Sequence, residues 1–316
     1  MHLTVLVCTH DRVGLLERTL EFLDQARRPR DCNVDVLVVA NACTDRTHEF
    51  LEDRARAGTG LPLRWDAEPT PGKSHALNRA MGKLDSDWVA FVDDDHRVDS
   101  AYLHGIAEAV RTNPDTDIFC GRILPDWDGT EPAWVHDEDE YRIYPLPVPR
   151  YDLGDATLDA PDIPAVPGGG NLVLRPRLFA LAGPFSVELG PVGHNLSGGE
   201  DQDWVRRAIA AGARLRYVPT IVQHHYVDRE RLRLHYLLRK AFERSASVVR
   251  MGADGTGKGV VPPYMIRKVA QYLLKVMTAR DTRARRYHSV RLASALGEVK
   301  GHLQARADRA GRSKPR

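Results

Sequence analysis

The sequence predicts a doubly wound α/β domain built on a mainly parallel sheet, followed by a helical extension. Three observations carry this. Short apolar, β-branched runs alternate with stretches of helical periodicity from Leu3 to Val92. Polar clusters fall at the ends of those runs, where open α/β sheets bind ligands. After Asp228 the chain shows only helical spacing and turns strongly basic.

The elements follow in order. Leu3–Cys8 reads as a buried strand, and Thr9–Arg12 as the loop after it. Val13–Ala26 carries Leu15, Leu16, Leu20 and Leu23 at helical spacing. Val34–Ala40 is a second buried strand, Asn41–Thr44 a polar turn and Asp45–Arg56 a helix. Leu61–Asp66 is a third strand, and Gly72–Met81 a loop running into a helix. Trp88–Val92 is a fourth strand that ends directly on Asp93, Asp94 and Asp95. Pro125 to Pro167 is rich in Pro, Asp, Trp and Tyr and reads as a long covering loop. Asn171–Arg175 is a short strand, Asp203–Ala211 a helix ended by Gly212, and Leu215–Val218 a last strand. Leu232–Arg250 and Met265–Met277 read as amphipathic helices.

A chain of 316 residues can bury a full core. Its net charge of +2 conceals an asymmetry: from Arg229 onward there are 22 Lys/Arg against 6 Asp/Glu, so the first 228 residues are acidic. An acidic front suits metal binding, and a basic end suits an anionic partner. The four cysteines, Cys8, Cys32, Cys43 and Cys120, form no CxxC pair and read as reduced thiols. No apolar run approaches the roughly 20 residues needed to cross a bilayer, and Met1 leads straight into a strand. A cytoplasmic protein is expected, with peripheral contact at the inner membrane face as an open alternative.

Asp93-Asp94-Asp95 is the sharpest local signal. Adjacent carboxylates repel unless a cation or solvent offsets the charge. In extended chain Asp93 and Asp95 share a face, and Mg²⁺ or Mn²⁺ takes such carboxylates together with phosphate oxygens. The ordinary alternative is a solvated acidic turn. Glu200, Asp201 and Asp203 open a helix, where capping alone explains them; the functional reading is a general base. Pro167-Gly168-Gly169-Gly170-Asn171 permits close approach of backbone to a ligand, or is merely a turn. The His224-His225 pair offers a neutral imidazole to the same metal, or is structural.

Together these segments resemble the inverting family 2 glycosyltransferases of the GT-A fold. The resemblance rests on VLVCTHDR (5–12), VLVVANACTD (36–45), GKSHALNRAM (72–81), FVDDD (91–95), GGGNLVLR (168–175) and GGEDQDW (198–204). It implies a Rossmann-like three-layer α/β/α domain over residues 1–228, with a nucleotide-binding half (1–100) and an acceptor and catalytic half (101–228). A basic helical extension (229–304) and a disordered tail (305–316) would follow. It implies donor contacts from Thr9, Arg12, Asn41, Asp45, Lys73, Asp93, Asp94, Gly170 and Asn171. Asp93, Asp95 and His225 would hold Mg²⁺ or Mn²⁺. Asp201 would be the base, with Glu200 supporting it.

The implied reaction moves one sugar from a nucleotide-sugar, UDP first, to a hydroxyl or amine of a small-molecule or lipid-linked acceptor. Many relatives place an Asp where Ala40 stands, so Asn41 is expected to take over base contact or the base is not uracil. The QxxRW pattern of processive polymerases is missing, since Gln223 is followed by His-His; transfer of single sugars fits better. Trp127, Trp134, Tyr141 and Tyr144 would line the acceptor region or pack the long loop. A nucleotidyltransferase ranks second, because no glycine follows the first strand until Gly14. A non-catalytic nucleotide-sugar-binding module ranks third. A nucleic-acid partner would leave the acidic first 228 residues without a purpose, and none is expected. The basic helices either pack on the domain with their charges in water or lie on an anionic membrane.

Overall fold

The computed structural model describes residues 1–189, 199–252 and 261–312. It divides into two compact units, Met1–Asp126 with Pro149–Tyr226, and Trp127–Val148 with Val227–Arg316.

The first unit opens with β1 (His2–Thr9), α1 (Val13–Gln25), β2 (Asn33–Asn41), α2 (Thr47–Ala57), β3 (Leu63–Glu68), α3 (Lys73–Met81) and β4 (Trp88–Phe91). It continues with β5 (His96–Val98), α4 (Tyr102–Thr112), β6 (Ile118–Asp126), β7 (Leu158–Asp159), β8 (Leu172–Leu174), α5 (Leu178–Ala182), α6 (Glu200–Ala210) and β9 (Leu215–Tyr226). The strand order is β3-β2-β1-β4-β8-β6-β9-β5, with β7 on β9. The half β3-β2-β1-β4 is parallel throughout. β8 runs antiparallel to both β4 and β6, which makes the whole sheet mixed.

Alternation along the strands builds three layers. Leu3, Val5 and Val7 of β1 pack with Leu16, Leu20 and Leu23 of α1 and with Tyr102 and Ile106 of α4. Leu6 of β1 and Leu37 and Val39 of β2 face the other side, against Ala76 and Leu77 of α3 and Trp204 and Val205 of α6. Strands covered on both faces are apolar at most positions, which is why they read as nearly unbroken runs; the buried Thr4 of β1 is satisfied by Asp35 of β2. Each fully buried Leu or Val adds about 1.5–3 kcal/mol to this core.

The topology brings the expected loops together. Thr9, Asn41 and Asp93 follow or end β1, β2 and β4, three strands adjacent in the parallel half. The last strand differs from expectation. It was read to stop at Val218, before Pro219, but β9 continues to Tyr226. Its register against β6 shifts between Cys120 and Arg122, a bulge opposite the stretch where proline supplies no ladder N–H. His224 and His225 therefore lie within a strand.

The second unit contains α7 (Leu234–Gly252), α8 (Pro263–Thr278) and α9 (Thr282–Arg312). Part of the expected covering loop belongs here. Trp134, Val135, Ile143 and Val148 are buried with Leu232 and Leu237, and the Tyr141 ring meets Tyr287 and His288 of α9. Trp134 is thus a core residue and not an open sugar platform; Tyr144 is 78% exposed, under the Arg142 guanidinium. Order was expected to end at residue 304, yet α9 runs to Arg312, because Ala, Gln and Arg continue the helix well. Residues 313–316 lie outside the described residues.

Candidate active site

The acidic tip after β4 is anchored from below. Asp94 is 5% exposed; it accepts from Thr9 Oγ1 at 2.7 Å and Arg12 Nη1 at 3.2 Å. Burial, and then the neighbouring Asp95 charge, raises its pKa to about 6. The Arg12 guanidinium also reaches Asp95 Oδ2 at 3.1 Å. Thr19 of α1 donates to the Asp94 and His96 carbonyls at 3.0 and 2.8 Å, which fixes the backbone of the turn.

Asp93 faces the other way, toward Lys73. The Lys73 ammonium lies 2.8 Å from Asp93 Oδ1 and 3.7 Å from Asp201 Oδ2. Burial opposes its charge, but Asp201, Asp93 and Glu200 outweigh that and hold its pKa well above the ordinary value. Burial likewise works against the Asp93 charge, yet Lys73 and His96 lower its pKa. Asn41 places this lysine. Its amide nitrogen donates to the Glu68 and Thr70 carbonyls at 3.2 and 2.7 Å, and its oxygen accepts from Gly72 N–H at 2.8 Å. The turn into α3 is thereby fixed just before Lys73.

Asp201, 8% exposed in the first turn of α6, accepts from Gly169 N–H at 3.0 Å through Oδ2, while Oδ1 has no hydrogen-bond partner among the described residues. A Cβ on Gly169 would stand 2.3 Å from the Asp201 carboxylate. One on Gly170 would stand 2.8 Å from Asp93 Oδ2 and from His96 Cε1. The glycine run therefore leaves room for two carboxylates that any side chain would displace. Glu200 is 3% exposed, with Oε2 unpartnered. Burial, then the Asp201 charge, raises its pKa to about 7.

A third group lies beside these. His96 and His225 are direct partners across the β5–β9 ladder, whereas His224 pairs with Arg97. The two rings meet edge to face at 5.0 Å. His96 Nε2 lies 3.9 Å from Asp95 Oδ1, and His225 Nε2 lies 3.7 Å from Asp95 Oδ2. One ligand atom from each of Asp95, His96 and His225 falls within 4.8 Å of the others, the spacing of a shared cation. The tautomers follow from the partners. Gln223 donates from Nε2 to the Phe91 carbonyl at 2.9 Å, so its oxygen faces His96 Nδ1 at 2.6 Å and that nitrogen carries the proton. His225 Nδ1 donates to the Tyr226 carbonyl at 2.5 Å. Both Nε2 lone pairs are left to face the Asp95 carboxylate, and burial lowers the His225 pKa, favouring the neutral ring. The donor set of two imidazoles and a carboxylate fits a divalent transition ion.

The sequence-predicted residues thus divide. Lys73, Asp93, Asp95, Gly170, Glu200, Asp201 and His225 come together. Thr9 and Asp94 brace the tip from beneath. Asn41 is a strut with its amide spent on backbone, so neither it nor buried Ala40 is placed to read a base. Asn171, 1% exposed, donates to the Arg122 and Ile221 carbonyls and accepts from Gln223, so it ties strands together and does not face a sugar. Asp45 accepts the N–H groups of Val13 and Thr47, capping the starts of α1 and α2. Gly198 of the GGEDQDW segment lies outside the described residues. His96 and Gln223 were missed as site residues. The signal for Gln223 was period-two spacing: Gln223 and His225 share a face once β9 is extended past Pro219.

The family model for glycosyl transferase family 2 matches residues 4–169, over half of the chain. The chain belongs to glycosyl transferase family 2. It is therefore a transferase enzyme, and the nucleotidyltransferase and non-catalytic alternatives fall away. This family 2 glycosyltransferase is 24% identical over 254 residues to the succinoglycan biosynthesis protein ExoM of Rhizobium meliloti (strain 1021), covering 80% of this chain and 76% of ExoM. Residues 1–349 of S. aureus TarS, solved with UDP, superpose with a TM-score of 0.54 at 16% identity, covering 100% of this chain and 93% of that one. The mannosyltransferase PcManGT of Pyrobaculum calidifontis, solved with GDP-Man and Mn²⁺, gives 0.51 at 19% identity, covering 99% and 76%. Against a longer TarS structure the chain spans 55% of that protein's length. These likenesses establish the GT-A fold.

Proposed function

We propose that this family 2 glycosyltransferase moves a single sugar from a nucleotide-sugar to an acceptor hydroxyl or amine, inverting the anomeric centre, with Asp201 as general base. The observation that supports this most directly is the state of Asp201. One carboxylate oxygen is pinned by Gly169 N–H, and the other has no hydrogen-bond partner among the described residues. A buried, oriented oxygen of this kind is suited to receive a proton.

In the proposed step the acceptor oxygen or nitrogen attacks the anomeric carbon as the bond to the donor phosphate breaks. The nucleoside diphosphate leaves with the electron pair, and the acceptor's proton passes to Asp201 Oδ1. Lys73 holds Asp201 and Asp93 in one place and offsets their charge. Asp95, His96 and His225 would hold a divalent cation, with Gln223 and the Tyr226 carbonyl orienting the two imidazoles. When bound, that cation supplies charge neutralisation at the leaving diphosphate. Two nitrogen donors favour Mn²⁺ over Mg²⁺, whose preference is for oxygen, and the Mn²⁺ in PcManGT is in keeping with this. UDP-sugars are the first donors to test, and TarS with UDP is in keeping with that choice.

Thermal-shift titration of UDP-, GDP- and dTDP-sugars, with and without Mn²⁺, tests the reading. Stabilisation that requires both a nucleotide-sugar and the metal supports it. The absence of any nucleotide-sugar effect at saturating Mn²⁺ would refute it.

A further inference from the structure

Helix α8 is apolar on two sides. Met265 is 3% exposed and turned inward, and the flank beside it is tied to α9 by the Lys268–Glu298 ion pair at 2.6 Å. The opposite side carries Ile266, Ala270, Leu273, Leu274 and Met277. Their spacing of i, i+4, i+7, i+8 and i+11 is the pattern of a core-facing stripe. In this protein that stripe faces outward: Ile266 is 68% exposed, Leu273 49%, Leu274 61% and Met277 74%. Scattered exposed leucines are ordinary, but a continuous helical stripe of about 16 Å marks a surface that something covers.

The charge around the stripe decides what covers it. Arg267 and Lys275 are exposed on the same helix, which has no acid of its own; of the eight Lys/Arg in residues 263–297, Lys268 pairs with Glu298 and Arg283 with Asp137 and Asp139. A second copy of the chain, packed stripe to stripe, would bring the cations of α8 toward those of its copy, and α8 itself has no carboxylate to pair them. An anionic lipid surface satisfies both features at once, taking the apolar side chains into the acyl boundary and the cations at its phosphates. No helix among the described residues is long and apolar enough to cross a membrane, so α8 can only lie in the interface plane.

We propose that the outward stripe of α8, Ile266, Leu273, Leu274 and Met277, docks this protein in plane on an anionic phospholipid membrane, with Arg267, which flanks the stripe, at the headgroups. The proposal is independent of the acceptor and of the assignment of Asp201.

The test is flotation of the full chain with phosphatidylcholine vesicles, with and without phosphatidylglycerol, at low and moderate salt. The wild-type protein should float with anionic vesicles and stay behind with neutral ones. Leu273→Glu/Leu274→Glu/Met277→Glu, which alters exposed positions only, should bind about tenfold or more weakly and keep the wild-type melting temperature. Arg267→Gln should retain part of the binding and lose part of its salt dependence. Failure of the wild-type chain to float would overturn the proposal, as would equal flotation of the triple-glutamate variant. Light scattering supplies the remaining arm. A wild-type dimer that the triple variant splits, with no vesicle binding, would show that a second copy covers the stripe and would likewise overturn it.

Discussion

Asp93 and Asp201 share one ammonium: Lys73 Nζ stands 2.8 Å from the first carboxylate and 3.7 Å from the second. The two acids arrive on different elements, one after β4 and one on α6, and the sheet order brings them to one lysine. Two carboxylates this close to one ammonium would repel without a cation between them. Lys73 therefore ties the acidic tip after β4, through Asp93, to the proposed base.

Removing the base without removing its shape is the most direct experiment. Asp201→Asn keeps the volume and can still accept from Gly169 N–H, so the fold and donor binding should survive. The turnover number should fall by about 10²–10⁴. Steady-state kinetics beside calorimetric donor titration would check this, and near-normal turnover with an intact fold would exclude Asp201 as the base.

Glu200 makes stability depend on pH. Its pKa in the fold is raised from 4.5 to about 7 by burial and then by Asp201. Between those values the folded protein holds a proton that the unfolded chain has released. The stability this group contributes is complete below about pH 4.5 and is lost as pH rises through about 7. Glu200→Gln cannot titrate. Its melting temperature should fall less between pH 5 and pH 8 than that of the wild-type protein, as scanning calorimetry across that range would show.

The parallel half of the sheet was legible because strands buried on both faces are apolar at most positions, so β1, β2 and β4 stand out as runs. The tips that follow them were legible for the same reason. Asn41 and Asn171 both satisfy backbone groups that sheet geometry leaves open, a role that residue type alone does not separate from ligand contact. His96 carries no signal of its own in the sequence, since its pairing with His225 arises only from the β5–β9 ladder. Gln223 was weighed only for the motif it fails to complete. Its role depends on a bulge that carries β9 past Pro219, and bulges leave little trace in composition. The segment Trp127–Val148 looked like a covering loop because its apolar residues lack periodicity; its partners, Leu232 and Leu237, lie far away in the chain.

The proposed cation site can be dissected ligand by ligand with Mn²⁺ alone, by calorimetry or electron paramagnetic resonance. Asp95→Ala and His225→Ala each delete a donor and should abolish measurable binding or weaken it severely. Gln223→Leu touches no metal. It frees the His96 ring to change tautomer, and Mn²⁺ affinity should fall about 10–100-fold. His224→Ala, on the far side of the ladder opposite Arg97, should bind Mn²⁺ as the wild-type protein does. If His224→Ala and His225→Ala behaved alike, the ligand assignment would be wrong.

Gly169 offers the sharpest steric test. A methyl group there would sit 2.3 Å from the Asp201 carboxylate, while the same residue's N–H holds that carboxylate at 3.0 Å. The side chain cannot yield without breaking the hydrogen bond, and the surrounding turn, Gly169–Asn171, is buried. Gly169→Ala should therefore cost about 1–3 kcal/mol of stability and displace the base as well. Gly168→Ala makes a matched control, since a Cβ at Gly168 meets nothing within 4 Å. Denaturant unfolding and turnover measured on both variants should show Gly168→Ala close to wild type and Gly169→Ala impaired in both. Equal behaviour of the pair would mean that the glycine run serves the chain's path through the turn and leaves Asp201 unconstrained.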